Sequence, residues 1–241
     1  MKLHRKHPLL RRLSVYLLPN SCILCGLGTK NQRDICDICQ DSLPWNHRAC
    51  PSCALPLPDT ALATQFCGLC LNQPPTFDGI VAPLCYQFPV DRLINRFKHH
   101  GQFSHGRVMV DLLETAIIQQ TFLPDVIIPV PLHWQRQFRR GFNQADWLAH
   151  HLSKGLNIPL ERKALKRYQG TPAQQGLTRK ERLKNLQHAF RVIKPLRGKR
   201  IAVVDDVMTT GSTLRTIATL LKQAGASEVH GWCLTRTPDK R

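Results

Sequence analysis

The segment that most constrains this chain runs Ile201-Ala-Val-Val-Asp205-Asp206-Val207-Met208-Thr209-Thr210-Gly211-Ser212-Thr213-Leu214. Four apolar residues after the basic Gly198-Lys199-Arg200 read as a short strand buried on both faces, as in a parallel sheet. Two carboxylates stand where that strand ends. Small hydroxyl residues and one glycine follow, and then Leu214, Ile217, Leu220 and Leu221 recur at helical spacing. A strand, a small-residue loop and a helix start form an anion site, because loop amides and the helix dipole converge on one point. Asp205 and Asp206, placed just before that cradle, suit vicinal hydroxyls or a magnesium ion rather than the phosphate. The ligand implied is a sugar phosphate. An ordinary strand-to-helix turn would explain one aspartate as a helix cap, but not two acids followed by so many small residues. No G-x-x-x-x-G-K-[ST] occurs, which excludes a Walker-type loop.

From Val203 to Thr213 the segment resembles the phosphoribosyl-pyrophosphate (PRPP) loop of type I phosphoribosyltransferases, two acids ahead of a T-T-G-x-T turn. The resemblance implies that Val204, Asp205 and Asp206 meet the ribose, the aspartates through its hydroxyls and as the catalytic pair. It implies that Thr209, Thr210, Gly211, Ser212 and Thr213 hold the 5′-phosphate, and that Mg²⁺ accompanies PRPP.

Eight of the ten cysteines form C-x-x-C pairs: Cys22/Cys25, Cys36/Cys39, Cys50/Cys53 and Cys67/Cys70. A two-residue gap lets both thiolates of a knuckle face one tetrahedral ion, and two knuckles complete a four-thiolate zinc site. Disulfides would need an oxidising compartment, and a thioredoxin-like motif one pair beside a βαβ unit, not four in tandem. Sequential pairing gives two ribbons; interleaved pairing stays open at this point. With every ligand a thiolate, no coordination position remains for chemistry, so the zinc is expected to be structural. Metal binding would then supply much of the folding energy of this proline-rich region. Cys85 and Cys233 stand alone in apolar surroundings and are expected to be small core residues.

Gln73-Pro74-Pro75-Thr76 marks a linker. Beyond it strand and helix patterns alternate: strand material at 79–88, helix at 91–98 and 108–120, strand at 126–130, helix at 144–156, then strand 201–204, helix 214–224 and strand 229–234. Such alternation predicts an α/β fold with a doubly wound, mainly parallel sheet. The expected organisation is a basic leader (1–19), a double zinc ribbon (20–75) and a phosphoribosyltransferase-like region (76–241).

Two more segments are expected near the carboxyl ends of the strands. After strand 126–130, Arg136, Arg139 and Arg140 with Gly141 lie in the loop that the resemblance to type I transferases implies for pyrophosphate, which they could neutralise; a solvated basic loop would have the same composition. The stretch 167–185, with Thr171, Gln174, Arg179 and Arg182, is polar, Gly- and Pro-marked and cationic, as a closing lid should be; a mobile loop that never meets substrate would have the same composition.

Cysteine knuckles ahead of a PRPP loop, with Phe97-Lys98, Arg140-Gly-Phe-Asn-Gln144, Thr171, Gln174, Arg182, Asn185 and Ala189-Phe190, make the whole chain resemble the competence protein F (ComF) family. That resemblance implies a type I phosphoribosyltransferase fold and a part in DNA uptake or use, with DNA-uptake or recombination proteins as partners. It leaves the acceptor of any phosphoribosyl transfer unnamed, and His133 is a weak candidate for a base.

The formal charge of +18 in 241 residues favours polyanionic partners. Residues 162–200 hold thirteen Lys or Arg against one acid, Glu181. Together with Trp134, Phe138 and Phe142 interleaved among arginines, this motivates a second reading, a single-stranded DNA-binding protein for which PRPP is ligand or signal. Arg11 and Arg12 interrupt the N-terminal apolar run, so the leader reads as a basic amphipathic helix, and a cytoplasmic location is expected.

Overall fold

The computed structural model describes residues 21–29, 33–62, 64–168 and 189–239. In chain order its elements are α1 (Asp37–Asp41), α2 (Gly68–Asn72), β1 (Gly79–Val81), β2 (Leu84–Cys85), α3 (Val90–His100), α4 (Phe103–Ile118) and β3 (Val126–Pro129). They continue with α5 (Trp134–Arg140), α6 (Gln144–Leu156), β4 (Leu165–Arg167), β5 (Phe190–Val192), β6 (Arg200–Met208), α7 (Ser212–Gln223) and β7 (Glu228–Arg236).

The main sheet is parallel, in the order β1-β7-β6-β3, with β2 also on β7. Its inner strand β6 owes its place to Ile201, Ala202, Val203 and Val204, all fully buried. Alternation sends Ile201 and Val203 to one face, where α7 packs through Leu214, Ile217 and Leu221. Ala202 and Val204 go to the other, against residues of α3, α4 and α6. Helices on both faces make the sheet doubly wound, as the alternating pattern predicts.

The strand material at 79–88 is two short strands on one edge of β7, Val81 pairing with Trp232 and Leu84 with Thr235. Pro83, which has no N–H to give a ladder, stands between them. The basic segment after β3 is a helix, α5, rather than a loop. His133 Nδ1 accepts from the Gln135 amide at 3.4 Å to cap its start, and Gly141 at φ +80 closes its end. The antiparallel pair β4–β5, with Leu165 opposite Val192, has no signal in the periodicity.

The cysteine clusters straddle the sheet. Cys22, Ile35 and Leu43 pack with the α3/α4 side, whereas Cys50, Cys53, Cys67 and Cys70 share a core with Met208, Leu214 and Cys233 on the α7 side. Among the described residues no helix is long and apolar enough to cross a membrane.

Gly231 on β7 fixes how closely α7 approaches. A Cβ there would lie 2.3 Å from Leu214 Cδ2 and 2.7 Å from Ile80 Cδ1. Gly231→Val is therefore expected to destabilise the protein by about 1–3 kcal/mol through overpacking. Thermal unfolding checks this, and an unchanged melting temperature would contradict the close seat of the helix.

Candidate functional site

β6 runs on past Val204 through both aspartates to Met208, and the chain turns at Thr209-Thr210-Gly211 into α7. Gly211 is the N-cap of α7 at φ +76, and a Cβ would stand 2.6 Å from Met208 Cε. Only glycine meets both conditions easily. Thr210 Oγ1 and Ser212 Oγ share a 2.8 Å hydrogen bond that braces the turn. A recess opens here, lined by Asp205, Val207, Met208, Thr209, Gly211, Ser212, Thr213 and Leu214 with Val130 and Cys233 from the flanking strands. The first-turn amides of α7 have no carbonyl partners within the helix, so this end of the recess is suited to an anion.

The two aspartates part company. Asp205 lines the recess and its Oδ1 accepts from the Asp206 amide at 2.9 Å. Burial, with the Asp206 charge beside it, pushes the Asp205 carboxyl up to about 8; Lys98 opposes the shift. The shift favours the protonated carboxyl, which can donate a hydrogen bond. Asp206, on the other side of the strand, is not among the residues lining the recess; its Oδ1 accepts from the Val207 amide at 3.0 Å, and its Oδ2 lies 2.6 Å from Lys98 Nζ. Lys98 reaches it from the last turn of α3.

Of the other expected ligand residues, Thr209, Gly211, Ser212 and Thr213 come together with Asp205. Val204 is fully buried in the sheet, and Thr210 is exposed outside the lining. Arg136 and Arg139 belong to α5, Arg140 ends it and Gly141 caps it. That segment is tied to the sheet by Asn143, whose Nδ2 donates to the Val130 carbonyl at 3.1 Å. Thr171, Gln174, Arg179 and Arg182 lie outside the described residues. Phe142 packs edge-on to Phe97 at 5.2 Å, so it is not free to stack on a base, whereas Trp134 and Phe138 are 67% and 89% exposed.

Two residues with no assigned role in the sequence reading prove central. Lys98 is one. Arg236 is the other, a cation only 3% exposed at the end of β7. A charged residue closing the apolar run Val229 to Leu234 was the available signal.

Cys22, Cys25, Cys36 and Cys39 form one cluster, and Cys50, Cys53, Cys67 and Cys70 a second, so pairing is sequential rather than interleaved. Sulfur separations of 3.8 Å (Cys25–Cys36) and 3.6 Å (Cys53–Cys67) match the edge of about 3.8 Å for four thiolates at about 2.3 Å from one zinc. The Cys67 amide points at Cys50 Sγ, 3.4 Å away. Burial raises the Cys50 thiol, but the amides of Cys67, Cys53 and Ser52 outweigh it and bring the group down to about 7. Both donor sets are consistent with structural zinc. Cys233 is a buried core residue and Cys85 is half-buried.

Comparison with known proteins agrees with this geometry. Residues 13–86 match the Double zinc ribbon domain family and residues 139–241 the Phosphoribosyl transferase domain family. Competence protein F of Haemophilus influenzae is 40% identical over 89% of this chain and 96% of its own. The DNA utilization protein YhgH of Escherichia coli O157:H7 is 37% identical, covering 91% and 98% respectively. The solved purine phosphoribosyltransferase from Pyrococcus horikoshii Ot3 is 26% identical, with a TM-score of 0.34 over 54% of this chain and 71% of that one. Likeness along nearly the full length of the Haemophilus and Escherichia proteins, together with the zinc-ribbon and phosphoribosyltransferase matches of this chain, places the chain in the ComF/YhgH family.

Proposed function

We propose that the recess binds PRPP with Mg²⁺, and that the protein serves DNA uptake or utilisation by transferring phosphoribose to an acceptor still to be identified. The observation that carries this is the gathering of Asp205, Thr209, Gly211, Ser212 and Thr213 around one recess at the carboxyl end of an inner parallel strand. The 5′-phosphate would rest on the loop amides, Thr210 completing the loop, and the ribose would lie over Asp205. Val204 would contribute only through its backbone at the strand end. Asp206, held by Lys98 on the other side of the strand, would complete the pair through its charge beside Asp205. Magnesium would neutralise pyrophosphate as it leaves. Arg136, Arg139, Arg140 and Gly141 belong to the segment we assign to the pyrophosphate side, and Thr171, Gln174, Arg179 and Arg182 to the lid. Loss of pyrophosphate builds positive charge on the ribose, so the site's work would be electrostatic. Residues 20–75 would be the ribbon unit, residues 76–241 the transferase unit and residues 1–19 a basic leader. Eight cysteines that would hold zinc as thiolates suit a reducing compartment such as the cytoplasm.

A second reading has its own observation. Trp134 and Phe138 stand four residues apart on α5, hence on one helical face, and both are exposed. Stacked bases with phosphates on nearby cations would make this a single-stranded DNA site. Affinity for a short single strand should then fall with salt by about 0.7 log unit per log of salt for each phosphate neutralised, and Trp134→Ala/Phe138→Ala should weaken it. A flat salt response removes this reading.

Calorimetry with PRPP and Mg²⁺ tests the first reading directly, and absence of heat would refute it. Asp205→Ala, which removes the carboxyl, should weaken PRPP by about tenfold, the scale of one lost buried hydrogen bond, whereas Asp205→Asn, which keeps a donor and an acceptor there, should weaken it less. The same variant has a pH signature. Because the folded carboxyl titrates near 8 and the unfolded one near 3.8, the native state retains a proton that the unfolded state has lost, and stability falls as pH rises across that interval. The melting temperature of Asp205→Asn should therefore gain on that of the wild type between pH 5 and pH 8; a constant difference would mean Asp205 is already ionised.

Lys98→Met would leave Asp206 buried without its cation, at about 3 kcal/mol. Lys98→Met/Asp206→Asn should recover most of this loss in denaturant unfolding. Additive losses would show that the pair is not coupled.

A further inference from the structure

Both ends of the phosphate loop are fastened to the same cysteine ribbon. At the entry, Arg236 Nη1 donates to the Met208 carbonyl at 3.3 Å, to the Thr209 carbonyl, and to the Thr237 carbonyl at 3.1 Å. Its Nε donates to the carbonyl of Cys53, in the second cluster, at 3.2 Å. At the exit, Arg215 in the first turn of α7 donates through Nη1 to the carbonyls of Gln73 and Pro74 at 3.3 and 3.2 Å. Gln73 is the C-cap of α2, the helix that carries Cys70. Thr76 Oγ1 donates back to the Arg215 carbonyl at 3.1 Å. Met208 and Leu214, the apolar residues flanking the loop, lie in the same core as Cys50, Cys53, Cys67 and Cys70. The first cluster has no such link among the described residues: its outward ion pair, Asp34 with Arg107, goes to α4 on the opposite face.

We propose that the second four-cysteine cluster is the footing of the phosphate loop, with Arg236 the positioning residue that couples metal occupancy of that cluster to binding of the phosphorylated sugar. The physical grounds are two. A buried guanidinium needs its donors satisfied, and here the acceptors are carbonyls from both the loop and the knuckle, so neither can shift alone. Four thiolates around one zinc carry a net charge of about 2−, which attracts the buried cation toward Cys53. Without the metal, the four sulfurs lose the ion that holds their knuckles together, and the Cys53 carbonyl loses its fixed position.

The binding half of this inference rests on the PRPP reading, whereas its structural half is measurable without any sugar. The full chain is compared with Cys50→Ser/Cys53→Ser, Cys22→Ser/Cys25→Ser and Arg236→Met. The readouts are zinc content, amide hydrogen exchange of residues 208–214 in unliganded protein, and PRPP affinity. Loss of the second site and Arg236→Met should each speed exchange in 208–214 by about tenfold or more, within the usual span of coupling between sites. Loss of the first site should leave that peptide unchanged. Arg236→Met should keep both zinc ions, and Arg236→Lys should restore part of the protection.

Reciprocity supplies a readout that a merely structural arginine would not move. Saturating PRPP should tighten zinc binding at the second cluster, read as equilibrium competition with a chromogenic chelator, leave the first cluster's affinity unaltered, and lose this effect in Arg236→Met. Unaltered exchange in 208–214 after loss of second-site zinc, or an equal rise after loss of first-site zinc, overturns the inference. If the wild type shows the exchange coupling but binds no PRPP, the footing stands and the sugar reading fails.

Discussion

Burial of β6 on both faces is the constraint on which the rest depends. A strand with no solvated side must be apolar along its length, yet this one continues into two carboxylates. They are tolerable because each finds its own surroundings where β6 borders the recess and the end of α3. One reaches the recess, and the other is met by a lysine from the helix packed against that face. Strand alternation sends one acid to the recess, where burial and the neighbouring charge raise its carboxyl, and the other to an ion pair with Lys98. Neighbours on a strand point to opposite faces and so meet different surroundings.

The small-residue loop obeys the same economy of space. Gly211 turns the backbone where a side chain would strike Met208, and Gly231 on the neighbouring strand lets Leu214 settle close to the sheet. These two glycines place the start of α7 where its unsatisfied amides face the recess. Neither contributes a polar side-chain atom; each contributes an absence of carbon.

Much of this was legible in the residues. Ile201 to Leu214 announced a strand, a small-residue turn and a helix because local patterning and tertiary burial agree there, and the C-x-x-C spacing announced knuckles that gather into two four-cysteine clusters. Less legible was the segment from Trp134 to Arg140, which reads as a basic loop; its helix depends on a histidine cap and a left-handed glycine, both too local for periodicity to register. Illegible were the contacts made at long range. The pairing of Lys98 with Asp206 and the reach of Arg236 to Cys53 join residues more than a hundred positions apart, and no pattern in a single chain encodes them. The strand at 79–88 was overread because the apolar run hides what Pro83 does to a hydrogen-bond ladder.

Cys233 sits beside Asp205 across the sheet and borders the recess. Burial, with the neighbouring charges of Asp205 and Asp206, raises its thiol well above the ordinary value. A sulfur that keeps its proton is a poor metal ligand and a poor nucleophile. A chain with eight sulfurs grouped in two clusters consistent with structural zinc thus keeps a further sulfur beside the recess without offering it as a competing trap for the same metal.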